Sequence, residues 1–332
     1  MKKKISVLLA GLLFAVGFAA GCKKEQDEIT VYMPDGAPAL AMAQLMAEDK
    51  EDDGVTYNVV PATLIASKVT YKEEEKNADL CVMPVTAASK LLGKGERYVM
   101  LGAVTHGNLY LIAKEGEYTA ENLSTLVGKT VGVLQINEVP GLTFKTVLNK
   151  YEIPWQEVTS EGGKAADKVN LLAITGPDAV GVVEADVFMV AEPAATAQAK
   201  KGYSIVGDLQ TLYGGENGYV QAVLVAKKEL VKEKSAWTKS FVSKLEGVTE
   251  WLTSASGEEI VAAVSAHMED KNAATSLKVP LLSSAVLGRC SIRFTYAVAC
   301  AAETESFLNA MLAVNNKAAA IPAKGFYWDY TK

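Results

Sequence analysis

Two distant parts of the chain repeat the same plan, which limits the folds available to it. The segment DLCVMPVTAAS, beginning at Asp79, matches DVFMVAEPAAT, beginning at Asp186: an aspartate, an apolar run, a short turn and a helix near Ala-Ala. A second pair, MPDGAPAL and LQINEVPGL, places polar residues and a proline after an apolar run at nearly the same offset. The sequence therefore predicts two similar halves built from alternating strands and helices.

This alternation predicts an α/β fold with two lobes and parallel sheets. In open sheets of this kind the ligand crevice lies outside the carboxyl ends of the strands, where all four strand-to-helix turns of the repeated plan fall. The glycine-flanked, β-rich runs 102–116 and 214–228 are predicted to carry the chain between the lobes. We expect lobe 1 to comprise residues 28–113 and 220–332, and lobe 2 residues 114–219.

The N-terminus reads as a secretory signal peptide over residues 1–21. Three lysines precede a largely apolar stretch, and Ala19-Ala20-Gly21 precede Cys22, as in sites cleaved by lipoprotein signal peptidase. The apolar stretch is short for a span, which takes roughly 20 residues, although an uncleaved anchor is the alternative. We expect a lipidated, palmitate-bearing Cys22, a charged tether over 22–27, and an extracytoplasmic protein held at the membrane by this lipid.

Charge and cysteine content narrow the classes of partner. The chain has 33 basic and 39 acidic side chains, and loss of the three N-terminal lysines would leave 30 basic ones. Such an acidic protein does not suit nucleic acid. Cys81, Cys290 and Cys300 lack CxxC spacing, so no metal site is expected and at most one disulfide, with the last two as the nearer pair. Cys81 is expected to be a buried core residue.

Catalytic signatures are missing from the sequence. The chain has only two histidines, His106 and His267, and no GxSxG, HExxH, P-loop or GxGxxG pattern follows a predicted strand. We therefore expect a binding protein without a cofactor rather than an enzyme. An enzyme, or a sensor that does not transport, on the same two-lobed scaffold is the alternative from another class.

Helix N-termini offer unpaired amides and a partial positive charge, so four of them around one cleft would form a ligand cage. Asp35 and Thr86 have helix capping as an equal alternative, and His106 a structural role. The predicted ligand contacts come from the four turns and the two crossovers: Asp35, Gly36, Ala37, Thr86, His106, Asn108, Asn137, Glu138, Glu192 and Tyr219.

Several segments resemble the substrate-binding lipoproteins of ABC importers, in the branch of thiamine-precursor, taurine, alkanesulfonate and nitrate binders. The resemblance is carried by YMPDGAPALAMAQLM, by GKTVGVLQINEVPGLTFK, by Glu192-Pro193 after DVFMV, and by the tail CSIRFTYA…IPAKGFYWDY. It implies a type II periplasmic-binding fold, acting as a monomer, whose lobes close over a small molecule. The molecule would then pass to a membrane permease driven by a separate ATPase.

The charges in the predicted turns favour one kind of ligand. Asp35, Glu138 and Glu192 occur there without lysine or arginine, and burying an anion beside carboxylates is costly. The pattern favours a neutral or cationic, nitrogen-bearing ligand such as an aminopyrimidine, with a sulfonate, taurine or nitrate as the alternative if Arg293 reaches the cleft. Relatives often place an aromatic residue after Glu-Pro, where this chain has Ala194.

Overall fold

The computed structural model describes residues 28–49 and 54–332, and in these ranges the chain forms twelve strands and twelve α-helices. The strands are β1 (Ile29–Pro34), β2 (Val55–Val60), β3 (Leu80–Pro84), β4 (Tyr98–Thr105), β5 (Leu109–Ala113), β6 (Thr130–Leu134), β7 (Trp155–Val158), β8 (Val169–Ile174), β9 (Val187–Ala191), β10 (Ser204–Asp208), β11 (Ala222–Lys227) and β12 (Ile292–Tyr296). The helices are α1 (Ala37–Leu40), α2 (Ala43–Ala47), α3 (Val85–Leu92), α4 (Val139–Lys150), α5 (Ala194–Ala197), α6 (Leu209–Gly214), α7 (Lys228–Glu233), α8 (Ser235–Leu245), α9 (Val248–Ser254), α10 (Gly257–Ala266), α11 (Ser284–Arg289) and α12 (Ala297–Val314). The predicted signal peptide, Cys22 and the tether lie outside the described residues.

The strands form two six-stranded sheets, in the orders β12-β4-β11-β3-β1-β2 and β10-β5-β9-β6-β8-β7. The α/β fold with two lobes is thereby confirmed. The expectation of parallel sheets is met in part: β1 pairs parallel with β2 and β3, and β6, β7, β8 and β9 pair parallel in the second sheet. In contrast, β4, β11 and β12 pair antiparallel in the first sheet, and β5 and β10 do so in the second. Since β11 enters its sheet where β3 ends, it must run back along β3.

The repeated plan of the sequence corresponds to a repeated interaction at the start of the strands. In the first lobe, the Asp79 carboxylate accepts a hydrogen bond from the Thr30 amide, 2.9 Å away. In the second, the Asp186 carboxylate accepts one from the Thr130 amide at 2.7 Å. Each aspartate thus ties the strand that follows it to the neighbouring parallel strand, which explains why both copies begin with Asp.

The chain passes between the sheets twice. It leaves the first sheet after β4 and enters the second at β5, so residues 106–108 form the outgoing crossover; residues 215–221 form the return. The sheet boundary differs from the predicted lobe boundary at residue 113, because β5 pairs with β9 and β10 of the second sheet. An apolar run can pair in either sheet, and the sequence alone does not distinguish the two.

Apolar side chains fill both faces of the first sheet. On one face, helices α1, α2 and α8 to α10 pack over a cluster that includes the fully buried Val31, Leu101 and Ile260. On the other face, a continuous core runs from Met100 into the second lobe at Phe144. Cys81 is buried in β3 as expected. Cys290 and Cys300 are also buried, and no disulfide forms among the described cysteines.

Helix α12 bridges the lobes. By length and composition alone it could cross a membrane. Its Cys300, Phe307 and Met311 are fully buried, and the helix contacts both β4 of the first sheet and α4 of the second lobe. These contacts are those of a core helix in a folded two-lobed protein.

The return crossover offers a matched test of steric crowding. Gly215 and Gly218 share one backbone conformation, with φ of 62° and 63°. A Cβ atom on Gly218 would lie 2.3 Å from the His106 carbonyl oxygen, whereas one on Gly215 meets nothing within 4 Å. Gly215→Ala should lower the free energy of unfolding by about 1–3 kcal/mol through backbone strain alone. Gly218→Ala should cost clearly more, as measured by denaturant unfolding; equal losses would contradict the crowding.

Candidate functional site

The four strand-to-helix turns converge on one cavity of about 800 Å³ between the two sheets. Each turn follows the carboxyl end of a strand, two in each lobe. The lining at the ends of these strands and in the turns comprises Asp35–Pro38 following β1, Pro84, Thr86 and Ala87 from the end of β3 onward, Leu134, Gln135 and Glu138–Pro140 from the end of β6 onward, and Ala191–Ala194 from the end of β9 onward. The repeated plan therefore assembles one cleft from both lobes.

Seven of the ten predicted contact residues line this cavity, and three do not. The seven are Asp35, Gly36, Ala37, Thr86, Asn108, Glu138 and Glu192. The three outside the lining are His106, Asn137 and Tyr219. Residues that the sequence did not single out also line it, among them Thr63, Thr105, Thr175, Gln221 and Ser276. Thr63 lies in a 3-10 helix after β2, and the others lie on loops and strand ends brought in by the sheet topology; no local pattern marks them.

His106 lies in the outgoing crossover and is buried. Its backbone amide donates to the Ser291 carbonyl at 3.0 Å, and its Nε2 lies 3.2 Å from the Thr295 hydroxyl. Burial, together with the nearby positive charge of Arg293, lowers the pKa of His106 to about 3. These contacts place the neutral imidazole in the joint between the lobes, which is the region where the outgoing crossover (106–108) meets the return crossover (215–221).

Asn137 and Tyr219 lie outside the cavity lining for opposite reasons. Asn137 is exposed just before α4. Tyr219 is buried, with its ring stacked on Phe307 at a centroid distance of 4.8 Å and its hydroxyl donating to Gln210 Oε1 at 3.2 Å. The tyrosine therefore belongs to the core beneath the return crossover.

Asp35 and Thr86 do not cap their helices. The Asp35 carboxylate accepts hydrogen bonds from the Thr275 hydroxyl at 2.5 Å and the Ser276 amide at 2.6 Å. The N-cap residue of α1 is Gly36, and that of α3 is Pro84. Asp35 instead ties the first turn to the loop before α11, which leaves less of its carboxylate for a ligand.

The Glu192 carboxylate is fully buried, and both of its oxygens accept hydrogen bonds. Thr196 donates to it through its amide at 2.9 Å and its hydroxyl at 2.6 Å. Arg289 Nε donates from 2.6 Å, and its Nη2 donates to the Thr196 hydroxyl at 2.8 Å. Arg289 lies on α11 of the first lobe, and its carbonyl accepts from the Tyr110 hydroxyl of the second lobe at 2.9 Å. The lobes are thus linked by an ion pair that the sequence did not predict.

The cavity has an acidic, largely aliphatic lining. In the described part of the chain, no lysine, arginine, histidine or aromatic side chain lines it. Arg293 donates instead to the Asn217 carbonyl at 2.5 Å and stays outside the lining. Glu138, the N-cap residue of α4, is exposed and makes no ion pair within the described residues. It is therefore the cleft carboxylate most available to a ligand. Residues 28–49 and 54–332 contain no cluster of side chains suited to hold a metal ion.

Several solved structures share this fold. They include an ABC transporter from Parabacteroides distasonis (TM-score 0.69, 18% identity, covering 91% of this chain and 99% of that one). The periplasmic aliphatic sulphonate binding protein SsuA from Escherichia coli gives 0.64 and 14%, covering 91% and 92%. The ligand-binding component of an ABC-type import system from Staphylococcus aureus, with zinc bound, gives 0.57 and 11%, covering 92% and 98%.

No protein-family model matches the sequence, and no curated protein matches it either. At these low identities the structural likeness establishes the fold alone. Together with the two sheets and the cleft between them, it defines the type II periplasmic-binding fold, as the sequence predicts.

The ion pair between the lobes should dominate the effect of mutations near Glu192. Arg289→Met should lower the free energy of unfolding by about 3 kcal/mol, because it leaves a buried carboxylate without its charge partner. The double variant Arg289→Met/Glu192→Gln should lose less than the two single changes together. Arg293→Met is the control, since that guanidinium binds a backbone carbonyl, and should cost about 1 kcal/mol. Additive losses in denaturant unfolding would argue against the coupling.

His106 should make the protein less stable in mild acid. Its pKa is about 3 in the folded chain against 6.5 when unperturbed, so below pH 6.5 the unfolded chain binds a proton that the folded chain does not. The free energy of unfolding therefore decreases as the pH falls, by about 1–2 kcal/mol from pH 7 to about pH 5. His106→Asn should flatten this part of the pH profile of unfolding; an unchanged profile would show that the imidazole titrates normally.

Proposed function

We propose that this protein is the extracytoplasmic solute-binding component of an ABC importer. It captures a small molecule between its lobes and presents it to a membrane permease driven by a separate ATPase. The observation that carries the proposal is the convergence of four strand-to-helix turns, two from each lobe, on one cavity. The likeness to binding components of ABC import systems supports it.

Closure about the two crossovers is the mechanism we propose. The ligand binds the closed arrangement better than the open one, so it shifts the population of lobe arrangements without a covalent step. The positive φ angles of Gly107 and Gly218, 95° and 63°, fall in these crossovers, where the change in backbone angle would be absorbed. On this proposal the protein is a binder and not an enzyme.

Membrane attachment completes the proposal. The sequence Ala19-Ala20-Gly21-Cys22 supports cleavage before Cys22 and lipidation of that residue. The lipid would hold a monomeric binding protein beside its permease on the outer side of the cell membrane.

For the ligand, the lining supports a neutral or cationic, nitrogen-bearing molecule such as an aminopyrimidine. The exposed Glu138 carboxylate belongs to this lining, as does Asp35, while the lining among described residues contains no basic side chain. Glu192 also lies there, but its carboxylate is buried and already paired with Arg289. An anion there would meet negative charge without a cationic partner. The alternative is a sulfonate, taurine or nitrate, and one structural neighbour is described as an aliphatic sulphonate binding protein.

Thermal unfolding of residues 23–332, stripped of ligand by unfolding and refolding, tests the function. A ligand at about 100 times its dissociation constant stabilises the folded state by about 2.7 kcal/mol, which raises the midpoint by several degrees. We expect shifts with aminopyrimidines, thiamine or polyamines. Shifts with sulfonates or nitrate alone would keep the importer and overturn the charge argument. No shift with any of these, or with amino acids, would count against solute binding.

Variants of Glu138 test the charge argument directly. Glu138→Gln should weaken binding of a cationic ligand about tenfold, because it removes the exposed carboxylate of the cleft while keeping its shape. Glu161→Gln changes an exposed carboxylate outside the lining and is the matched control. Equal affinities for both variants, measured by titration calorimetry, would remove Glu138 from the site.

A further inference from the structure

A chain of hydrogen bonds between side-chain amides joins the two crossovers at the cleft. Gln221 Nε2 donates to Asn108 Oδ1 at 3.0 Å, and Asn108 Nδ2 donates to the Glu192 carbonyl at 3.0 Å. Asn108 lies in the outgoing crossover and Gln221 ends the return crossover, immediately before β11. Both residues line the cavity, so this chain forms part of the wall that a ligand would meet.

The end of this chain fixes the orientation of both amide groups. A backbone carbonyl only accepts hydrogen bonds, so the Asn108 atom beside the Glu192 carbonyl must be the NH₂ group. Asn108 must then present its oxygen to Gln221, and Gln221 must present its own NH₂ group to Asn108. A flipped amide at either position would place two donors or two acceptors against each other. The remaining atom, Gln221 Oε1, is therefore an acceptor.

Gln221 Oε1 has no hydrogen-bond donor within the described part of the chain, and it is buried. The backbone of Gln221 is held on both sides, since its amide donates to the Thr105 carbonyl and its carbonyl accepts from the Val85 amide. The hydrogen bond from Nε2 to Asn108 further limits how far the side chain can move to find another partner. A buried acceptor without a donor costs about 1–3 kcal/mol, which a donor arriving with the ligand would recover.

We propose that Gln221 determines specificity, by accepting a hydrogen bond from an N–H or O–H group of the ligand. This inference rests on the proposed function and narrows its ligand to molecules that carry a donor. The terminal torsion of glutamine is broad, so a small rotation presents Oε1 to the cavity while Nε2 stays near Asn108. Molecules with acceptors alone, such as nitrate or a simple alkanesulfonate, cannot make this bond.

Two pairs of compounds isolate the donor. Aminopyrimidine is compared with its N,N-dimethyl analogue at mildly alkaline pH, where both rings are neutral, and taurine with its N,N,N-trimethyl analogue, which keeps the positive charge but has no N–H donor. Affinities are measured by titration calorimetry on residues 23–332. For at least one pair, the compound with the donor should bind about tenfold more tightly or better, the fold-change that one unmatched buried acceptor corresponds to.

Two variants assign this preference to one atom. Gln221→Met removes the acceptor at similar size and should abolish the preference. Gln198→Met is the control, because Gln198 also has a buried Oε1 without a donor among the described residues but lies outside the cavity lining. It should leave the preference unchanged.

The possible outcomes distinguish a failure of the role of Gln221 from a failure of the proposed function. Equal binding within both pairs, or a preference that survives in Gln221→Met, would overturn the role of Gln221 while leaving a solute-binding protein. Binding of none of the four compounds, nor of any other compound in the thermal panel, would overturn the proposed function and the inference with it.

Discussion

The two places where the chain crosses between the sheets are pinned to each other, and the cleft depends on that contact. The Gln221 amide donates to the Thr105 carbonyl at 3.0 Å, and the Tyr219 amide to the His106 carbonyl at 3.3 Å. Gly218 approaches the same His106 carbonyl so closely that no side chain fits between them. Because both crossovers are held in one joint, the carboxyl ends of the two sheets face each other and their four turns share one space.

Most of the carboxylate groups near this joint already have partners within the protein. The buried Glu192 is paired with Arg289, and Asp35 is held by two donors of the loop at Thr275 and Ser276. A buried carboxylate without such partners would be expensive, so both groups serve the architecture before any ligand arrives. On the proposed function, ligand recognition would fall to groups with spare hydrogen-bonding capacity: the exposed carboxylate of Glu138, the side-chain amides of Asn108 and Gln221, and the hydroxyls of the lining.

Much of the fold could be predicted from the sequence because its signals are local. An aspartate, an apolar run, a turn and a helix recur within about a dozen residues, and both Asp79 and Asp186 make the contact that the repetition implies. What could not be predicted depends on long-range pairing. The sheet membership of β5 is set by its neighbours β9 and β10, and Arg289 meets Glu192 across 97 positions of sequence. Arg293, four residues further along, carries the same charge and turns to Asn217 instead.

The dependence on long-range pairing also explains why some of the predicted contact residues line the cavity and others do not. Most positions in the turns reach the cavity because a strand end fixes where the next residues point, as at Thr86 and Glu138, although Asn137 in the third turn does not. Positions in the crossovers have no such constraint: His106 and Tyr219 turn into the joint, while Asn108 and Gln221 turn toward the cavity. Their directions follow from the hydrogen bonds that hold the joint together. The joint therefore both orients the lobes and selects which polar groups the cleft presents, so changes there should alter specificity as well as stability.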